Sequence, residues 1–213
     1  MSKITLEPNS SGAGTFSIVS PDSNTNRIIT LPDENGSLIT DANTIPLTLM
    51  PSGSIIDMKF DFTTATATFS SSSEINITEF PFDGNFFYTP NLSNSRLLVQ
   101  FQVHAGHKTT WRSTGLRLYY QIGGNSGTWT QVTGGSLNTQ VYLSGTNGGG
   151  STFNQQFLMS SLNTTNDVFF KVTYQGHENG RPLHLNKSTL TDTQSDINET
   201  SVSSNILIQE VKQ

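Results

Sequence analysis

The stretch "SRLLVQFQVHAG" (residues 95–106) decides the fold class of this chain. In an extended conformation its residues alternate between two faces. One face is apolar throughout and consists of Leu97, Val99, Phe101 and Val103. The opposite face is mostly polar and consists of Leu98, Gln100, Gln102 and His104. Because successive side chains of a β-strand point to opposite sides, the pattern predicts a strand with one side in a core and the other at a polar surface.

Similar segments continue along the chain on both sides of this strand. Upstream, "GSIIDMKFDF" (53–62) opens the region and "TTATATFSSSSEINITEF" (63–80) continues the alternation, whereas "FPFDGNFFYTP" (80–90) is typical of a core corner or an interface. The predicted downstream strands are 115–122, 127–132, 139–144, 153–161, 167–175, 181–186 and 204–211. Strands at spacings near 8–12 residues predict an all-β protein, built as a jelly-roll-like antiparallel sandwich.

The composition supports the same fold class. The hydrophobic fraction is 33% and the charged fraction is only 13%. Disordered chains are also poor in apolar residues, but they are normally rich in charge. Thr and aromatic residues, including 13 Phe, favour pleated strands, and Gly, Asn and Ser favour the turns between them.

Several functional classes are disfavoured by the same composition. The absence of cysteine excludes disulfides and thiolate-bound metal. A net charge of −5 argues against nucleic acid as a partner, because such binding relies on clustered Lys and Arg. No apolar run approaches the roughly 20 residues that span a bilayer, so membrane insertion is not expected. The first residues lead directly into a strand pattern, and no signal peptide is predicted.

The N-terminal region differs from the rest of the chain. Residues 1–45 contain short alternating segments, and we expect these to attach the protein to a larger assembly because strands this short cannot close a core alone. The candidate anchor residues are Ile4, Leu6, Phe16, Ile18, Ile28 and Leu31. Residues 46–54 are predicted to be a linker in which Pro46 and Pro51 disfavour a helix. The sandwich domain is expected to occupy residues 55–213.

The segment "GTFSIVSPDSNTNRIITLPDENGSLIT" (14–40) resembles a sequence that recurs in tail-fibre and other virion proteins of tailed bacteriophages. "MPSGSII" (50–56), "TPNLSNSRLLVQFQV" (89–103) and "DINETSVSSNILIQEV" (196–211) are similar to the C-terminal domain of the same proteins. In that family this domain resembles the jelly roll of tumour necrosis factor and usually forms trimers.

The resemblance implies a structural component of a phage particle, made in the host cytoplasm and displayed on the virion. The implied partners are two further copies of the chain, as a homotrimer, and a capsid or tail protein. Long fibres carry repeats or a shaft, and no 20–50-residue repeat occurs here. A short spike, head fibre or decoration protein therefore fits the length better than a long tail fibre.

No group of residues predicts catalysis, and neither a cofactor nor a metal site is expected. The chain lacks the nucleophile elbow, the P-loop and the zinc-protease motif. Its carboxylates are scattered in predicted loops rather than facing each other across a cleft. "HAGH" (104–107) fits a polar face and a turn, although a trimer axis would bring together three copies of His104. The protein is expected not to be an enzyme.

Exposed aromatic residues leave a second function open. Trp111, Arg112, Trp129 and Tyr142 lie near predicted loops or strand edges. Aromatic faces stack on sugar rings, and they also pack in protein interfaces. These residues are therefore candidates for either glycan contact or subunit contact. The alternative function is a receptor-binding tail adhesin that recognises a glycan on the host surface.

Overall fold

The computed structural model divides the chain into two compact units, Met1–Asn43 and Thr44–Gln213. The described residues are 11–14, 24, 26, 28, 45–107, 114–124, 126–132, 149–176, 183–186 and 202–213. The second unit carries the fold. All but one of the proposed anchor residues, together with Trp111, Arg112 and Tyr142, lie outside the described residues, and the predictions made for them stay predictions.

The described part of the second unit contains eleven strands and one 3-10 turn. The turn is Leu47–Leu49, and it lies between the two linker prolines. The strands are β1 (Ile55–Thr63), β2 (Ala67–Phe69), β3 (Ile75–Asn76), β4 (Asp83–Tyr88), β5 (Arg96–His107), β6 (Thr114–Ile122), β7 (Thr130–Gln131), β8 (Gly149–Leu158), β9 (Val168–Gly176), β10 (Leu183–Leu185) and β11 (Ser204–Val211).

The strands form two antiparallel sheets. In the front sheet, β1 and β2 follow one another along one edge, β11 and β10 lie next to them, then comes β5, and β8 forms the other edge. In the back sheet, β3 and β4 share one edge, followed by β9, β6 and β7. Each sheet is therefore four strand positions wide.

The order of these positions identifies the fold. Numbered along the chain, with β1/β2, β3/β4 and β10/β11 each counted as one position, the front sheet has the order 1-8-3-6 and the back sheet 2-7-4-5. Only the connection between the fourth and fifth positions stays within one sheet, and all the others cross between sheets. This connectivity is that of a jelly roll. The predicted all-β, jelly-roll class is confirmed.

The bounds of several strands differ from the prediction. The segment 80–90 contains β4, whose alternation is hidden because Gly84 adopts a positive φ of 97° and the register with β9 shifts between Asp83 and Phe86. Only Thr130–Gln131 of the predicted strand 127–132 pairs with β6. The segment 139–144 lies outside the described residues.

The core is a single layer of apolar side chains between the sheets. Leu97, Val99, Phe101 and Val103 of this stretch are all at most 2% exposed, as the alternation predicts. They meet aromatic side chains from the back sheet and the turns, among which the fully buried ones are Phe82, Phe86, Phe170 and Tyr174. All members of the core cluster lie between Phe69 and Ile208, so the second unit contains its own core.

A carboxylate is buried where the two sheets meet the turn that precedes β5. Glu210 of β11 has no exposed surface. Its Oε1 accepts hydrogen bonds from the Ser95 hydroxyl (2.5 Å) and the Leu92 N–H (2.9 Å). Its Oε2 accepts from the Asn91 N–H (2.9 Å), the Asn91 side-chain amide (3.0 Å) and the Tyr88 hydroxyl (2.8 Å). Glu210 thus ties the front sheet to the back sheet through Tyr88.

A second buried polar group joins the two halves of the eighth strand position. β10 and β11 pair with successive parts of β5, and the strand is interrupted between Asn186 and Ser204. The Ser204 hydroxyl donates to Asn186 Oδ1 (2.6 Å) and accepts from the His104 N–H (2.9 Å). The Asn186 amide donates to the carbonyls of Thr63 and Ala65 at 3.0 and 2.8 Å. These bonds hold the interrupted strand in register with both of its neighbours.

Replacing Glu210 by Gln should lower the free energy of unfolding by about 2–3 kcal/mol at pH 7, because an amide N–H₂ would then face donors in a buried site. Chemical denaturation measures this change. Glu79→Gln is the matched control, since the Glu79 carboxylate bonds only an exposed Thr78 hydroxyl among the described contacts. Equal losses in the two variants would contradict the role of Glu210.

The same variant should change the pH dependence of stability. Burial alone raises the pKa of the Glu210 carboxyl, but hydrogen bonds from Ser95, Asn91 and Leu92 outweigh it and hold this pKa below its ordinary value of 4.5. The stabilisation is therefore present above pH 4.5 and is lost as the pH falls through the lower folded-state pKa. The stability difference between wild type and Glu210→Gln should shrink over that range in denaturation curves.

Candidate functional site

The outer surface of the front sheet carries no charged residue at twelve neighbouring positions, which we call the uncharged face. Six of its residues are apolar: Met58, Phe60, Phe62, Leu98, Leu158 and Leu207. The other six are amides: Gln100, Gln102, Asn154, Gln156, Asn205 and Gln209. Strand register places them in three rows across β1, β11, β5 and β8: Met58–Gln209–Leu98–Leu158, Phe60–Leu207–Gln100–Gln156 and Phe62–Asn205–Gln102–Asn154.

The edge strand β1 turns its apolar residues towards solvent. Met58, Phe60 and Phe62 are 59%, 56% and 54% exposed, and the two phenyl rings stack with centroids 6.2 Å apart. Two charged residues of the same strand, Asp57 and Lys59, make contacts within the sandwich instead. The Lys59 ammonium donates to the Phe87 carbonyl at 2.7 Å, and Asp57 Oδ2 lies 3.0 Å from the Tyr88 hydroxyl. Three large apolar side chains on β1 therefore stay more than half exposed beside the described residues of the sandwich.

The amides form the other half of the uncharged face. The Asn205 amide donates to Gln102 Oε1 at 3.1 Å. A shallow depression of about 390 Å³ lies over the middle of the sheet, and its lining includes Phe60, Leu207, Gln100 and Gln156. Each side-chain amide has both donor and acceptor groups, so it can pair with another copy of itself. Depletion of charge together with exposed aromatic residues is typical of the centre of a protein interface.

The outer surface of the back sheet is different, because charged and aromatic residues alternate there. Lys171 of β9 lies between two rings, with its Nζ 4.7 Å from the Trp129 centroid and 5.6 Å from the Tyr119 centroid. Beside it, Glu74 Oε2 pairs with Arg117 Nη1 at 2.9 Å, and Glu74 Oε1 accepts from the Thr173 hydroxyl at 2.6 Å. Residues Glu74, Arg117, Tyr119, Trp129, Lys171 and Thr173 are called the back-face cluster below.

Proton affinities in the cluster reflect partial burial and the Glu74 carboxylate. Burial and a hydrogen bond to Glu74 raise the pKa of Tyr119 to about 12. Burial lowers the pKa of Lys171, and the nearby Glu74 only partly offsets this. For Glu74 itself, burial raises the pKa. Hydrogen bonds from Thr173 and Tyr119, together with the positive charges of Arg117 and Lys171, lower it by more, so the pKa of Glu74 lies below its ordinary value.

The structure describes two of the predicted site residues. Trp129 joins the back-face cluster, where its ring packs over Gly84. Ile28 is 92% exposed. His104 has its Nδ1 3.0 Å from the Thr152 hydroxyl on the front sheet.

Among the described residues no group of three or more His, Asp or Glu side chains is placed to hold a metal ion, and no helix is long and apolar enough to cross a membrane.

The uncharged face was missed at the sequence level. Its signal was present in "IDMKFDF" (56–62), where Met58, Phe60 and Phe62 alternate with charged residues. Such alternation normally places the apolar side in the core. Here the pattern is reversed, because β1 lies at the edge of the sandwich and Lys59 reaches across to the back sheet. Only the tertiary structure distinguishes these two orientations.

The fold and the two surfaces define a jelly-roll domain with one uncharged sheet face. Among solved structures, the chain is similar to the VP2 subviral particle of infectious bursal disease virus, with 10% identity, a TM-score of 0.40, and coverage of 82% of this chain and 37% of that chain. It is also similar to the derived T=1 particles of that virus, with 12% identity, a TM-score of 0.35, and coverage of 82% and 41%. The chain thus spans about two fifths of the length of these structures. The jelly-roll fold of this chain is established by the strand order of its two sheets.

No protein-family model matches the sequence, and no curated protein matches it either.

The packing of Trp129 on Gly84 gives a direct test of the back-face cluster. A Cβ at Gly84 would lie 3.1 and 3.2 Å from two ring atoms of Trp129, so Gly84→Ala should displace the ring. In a Trp111→Phe background, the fluorescence of Trp129 should change in wavelength or intensity. Gly53→Ala is the control, because Gly53 also has a positive φ (89°) but an added Cβ would meet nothing within 4 Å. Both variants should lose about 1–3 kcal/mol to backbone strain, and only Gly84→Ala should alter the fluorescence.

Proposed function

We propose that this protein is a non-enzymatic structural component of a virus particle, specifically a short spike, head fibre or decoration protein of a tailed phage. The observation that carries the proposal is the uncharged face, on which Met58, Phe60 and Phe62 are each more than half exposed. A stable surface subunit has to cover such a face, and further copies of the same chain are the simplest cover. The protein acts as a homotrimer.

The chemistry of the uncharged face supports self-association. Fully burying a large apolar side chain contributes roughly 1.5–3 kcal/mol, and Met58, Phe60 and Phe62 are each more than half exposed in one copy. The side-chain amides of the uncharged face carry both donors and acceptors. The amides of identical copies can therefore hydrogen-bond to one another without charge pairing. The resemblance of the C-terminal domain to the jelly rolls of phage virion proteins, which usually form trimers, favours three copies over two.

The N-terminal residues supply the attachment to the particle in this proposal. The 14–40 segment carries the resemblance, and it belongs to the first compact unit, Met1–Asn43. Ile28, the anchor candidate that the structure describes, is 92% exposed and is therefore available to a partner protein. Three copies of a weak attachment segment in one trimer would bind far more tightly than one.

A receptor-binding role is the second candidate function. It is favoured by the back-face cluster, where Trp129 and Tyr119 flank a lysine on the sheet surface opposite the uncharged face. A trimer assembled through the front sheet would keep the back sheets accessible. Structural and adhesive roles can therefore coexist in one particle protein.

Replacing Phe60 by Lys tests the assembly. The side chain is exposed in one copy, so the monomer should tolerate the change, whereas a trimer would have to bury three additional charges. Light scattering should show a trimer for the wild type and a 23.2 kDa monomer for the variant. Ile122→Lys is the matched control: Ile122 is 40% exposed but lies on the back sheet, and this variant should remain trimeric. A monomeric wild type would overturn the trimer, and a trimeric Phe60→Lys would exclude this face as its interface.

Removing residues 1–43 tests the division of labour along the chain. The remaining unit contains the core cluster of the described residues and retains the Lys212 contacts to the carbonyls of Thr48 and Met50, so it should still melt cooperatively and form trimers. It should fail to bind particles assembled without the native protein, as measured by co-sedimentation. The full-length chain, added to the same particles, should bind. Binding by the truncated protein would locate the anchor elsewhere.

A further inference from the structure

Two lysines of this domain lie over aromatic rings, and they differ in their remaining contacts. Lys59 Nζ is 4.1 Å from the Phe87 centroid and also donates to the Phe87 carbonyl. Lys171 Nζ lies over Trp129 and Tyr119, but within the described ranges no acceptor bonds it and no carboxylate lies at ion-pair distance. The ammonium of Lys171 therefore retains unused donors on the outer surface of the back sheet.

The carboxylates beside Lys171 are engaged elsewhere. Asp83, its cross-strand partner on β4, accepts hydrogen bonds from the N–H (3.0 Å) and the side-chain amide (2.6 Å) of Asn85. Both oxygens of Glu74 have partners, one in Arg117 and the other in the Thr173 hydroxyl. Tyr119 also directs its hydroxyl to Glu74. Glu74 thus fixes Arg117 and Tyr119 in place while leaving the charge of Lys171 without a direct counterion among these residues. The Lys171 ammonium can therefore still donate to an added anion, although the chain as a whole has a net charge of −5.

The aromatic groups give the site a shape. Tyr119 and Lys171 face each other directly across β6 and β9, and Trp129 is held against the positive-φ Gly84 of β4. A partly exposed indole next to a cation offers an apolar surface for the C–H side of a sugar ring and a charge for an acidic substituent. Gln131, opposite Tyr119 on β7, adds an amide at the same surface.

We propose that the back-face cluster binds a carboxylate-bearing saccharide, in which Lys171 pairs with the carboxylate and Trp129 packs against the sugar ring. A neutral sugar would leave the ammonium unpaired, and a simple inorganic anion would not use the rings. Acidic sugars satisfy both features. The proposal stands independently of the virion role, since it depends only on residues of the back sheet.

The test uses the full-length protein in a Trp111→Phe background, with Trp129 fluorescence and calorimetric titration as readouts. The probes are an oligogalacturonate and an oligosialic acid, with a neutral maltooligosaccharide of equal length for comparison. We expect at least one acidic probe to bind and to change the fluorescence, and the neutral probe to bind at least tenfold more weakly. Lys171→Gln should weaken acidic-probe binding at least tenfold, whereas Lys171→Arg should retain most of it.

Lys59→Gln is the matched control, because it also removes a cation over aromatic rings but lies at the edge of the sandwich. It should leave the affinity unchanged. Trp129→Ala, followed by calorimetry alone, should weaken binding to a similar extent as Lys171→Gln. The proposal is overturned if neither acidic probe binds, if Lys171→Gln binds as well as the wild type, or if sodium sulfate displaces the probe at equal concentration.

Discussion

The burial of Glu210 is the constraint on which the arrangement of the two sheets depends. A buried carboxylate is tolerated only when donors surround it, and here they come from the turn before β5 and from Tyr88 of the back sheet. Glu210 lies near the end of β11. If β11 shifted, the carboxylate would lose its hydrogen-bond donors and remain a buried, unpaired charge. The register of β11 fixes its neighbours β1 and β5 and therefore the rows of the uncharged face.

The register has a direct consequence for assembly. A shift of one residue would exchange the two faces of a strand. In the observed register, Ile206 and Ile208 enter the core, and Asn205 and Leu207 join the outer surface. The alternation of β11 thus separates a dry interior from an outer layer of amides and isolated leucines. The same separation leaves the twelve positions of the uncharged face without charge, which suits the proposed contact with identical copies.

The two outer surfaces suit different tasks. The front sheet offers apolar and amide groups suited to permanent burial, whereas the back sheet carries ion pairs and a lysine held between rings. In a trimer built through the front sheet, these roles do not compete, since each sheet of the sandwich has only one outer surface. In the roles proposed above, one small domain would act both as a building block and as a recognition module.

The sequence by itself determined the strand content and the core side of the clearest strands. Leu97, Val99, Phe101 and Val103 alternate without interruption, and period-two alternation is a local property that needs no partner to be recognised. The cluster of Phe at 80–90 was assigned to the core or an interface for its composition, and Phe82 and Phe86 are buried. Its pairing as a strand was hidden by a glycine with positive φ.

Tertiary structure alone decided which way β1 faces and what surrounds Trp129. Met58, Phe60 and Phe62 have the same alternation as a core-facing strand, and the outcome depends on Lys59 and Asp57 finding partners in the back sheet and the turn after β4. Likewise, Lys171 is over 40 residues from Trp129 in the chain, and only the pairing of β6 with both β7 and β9 brings them together. Contacts between distant segments cannot be read from local periodicity, because periodicity gives the side of a strand but not its neighbours.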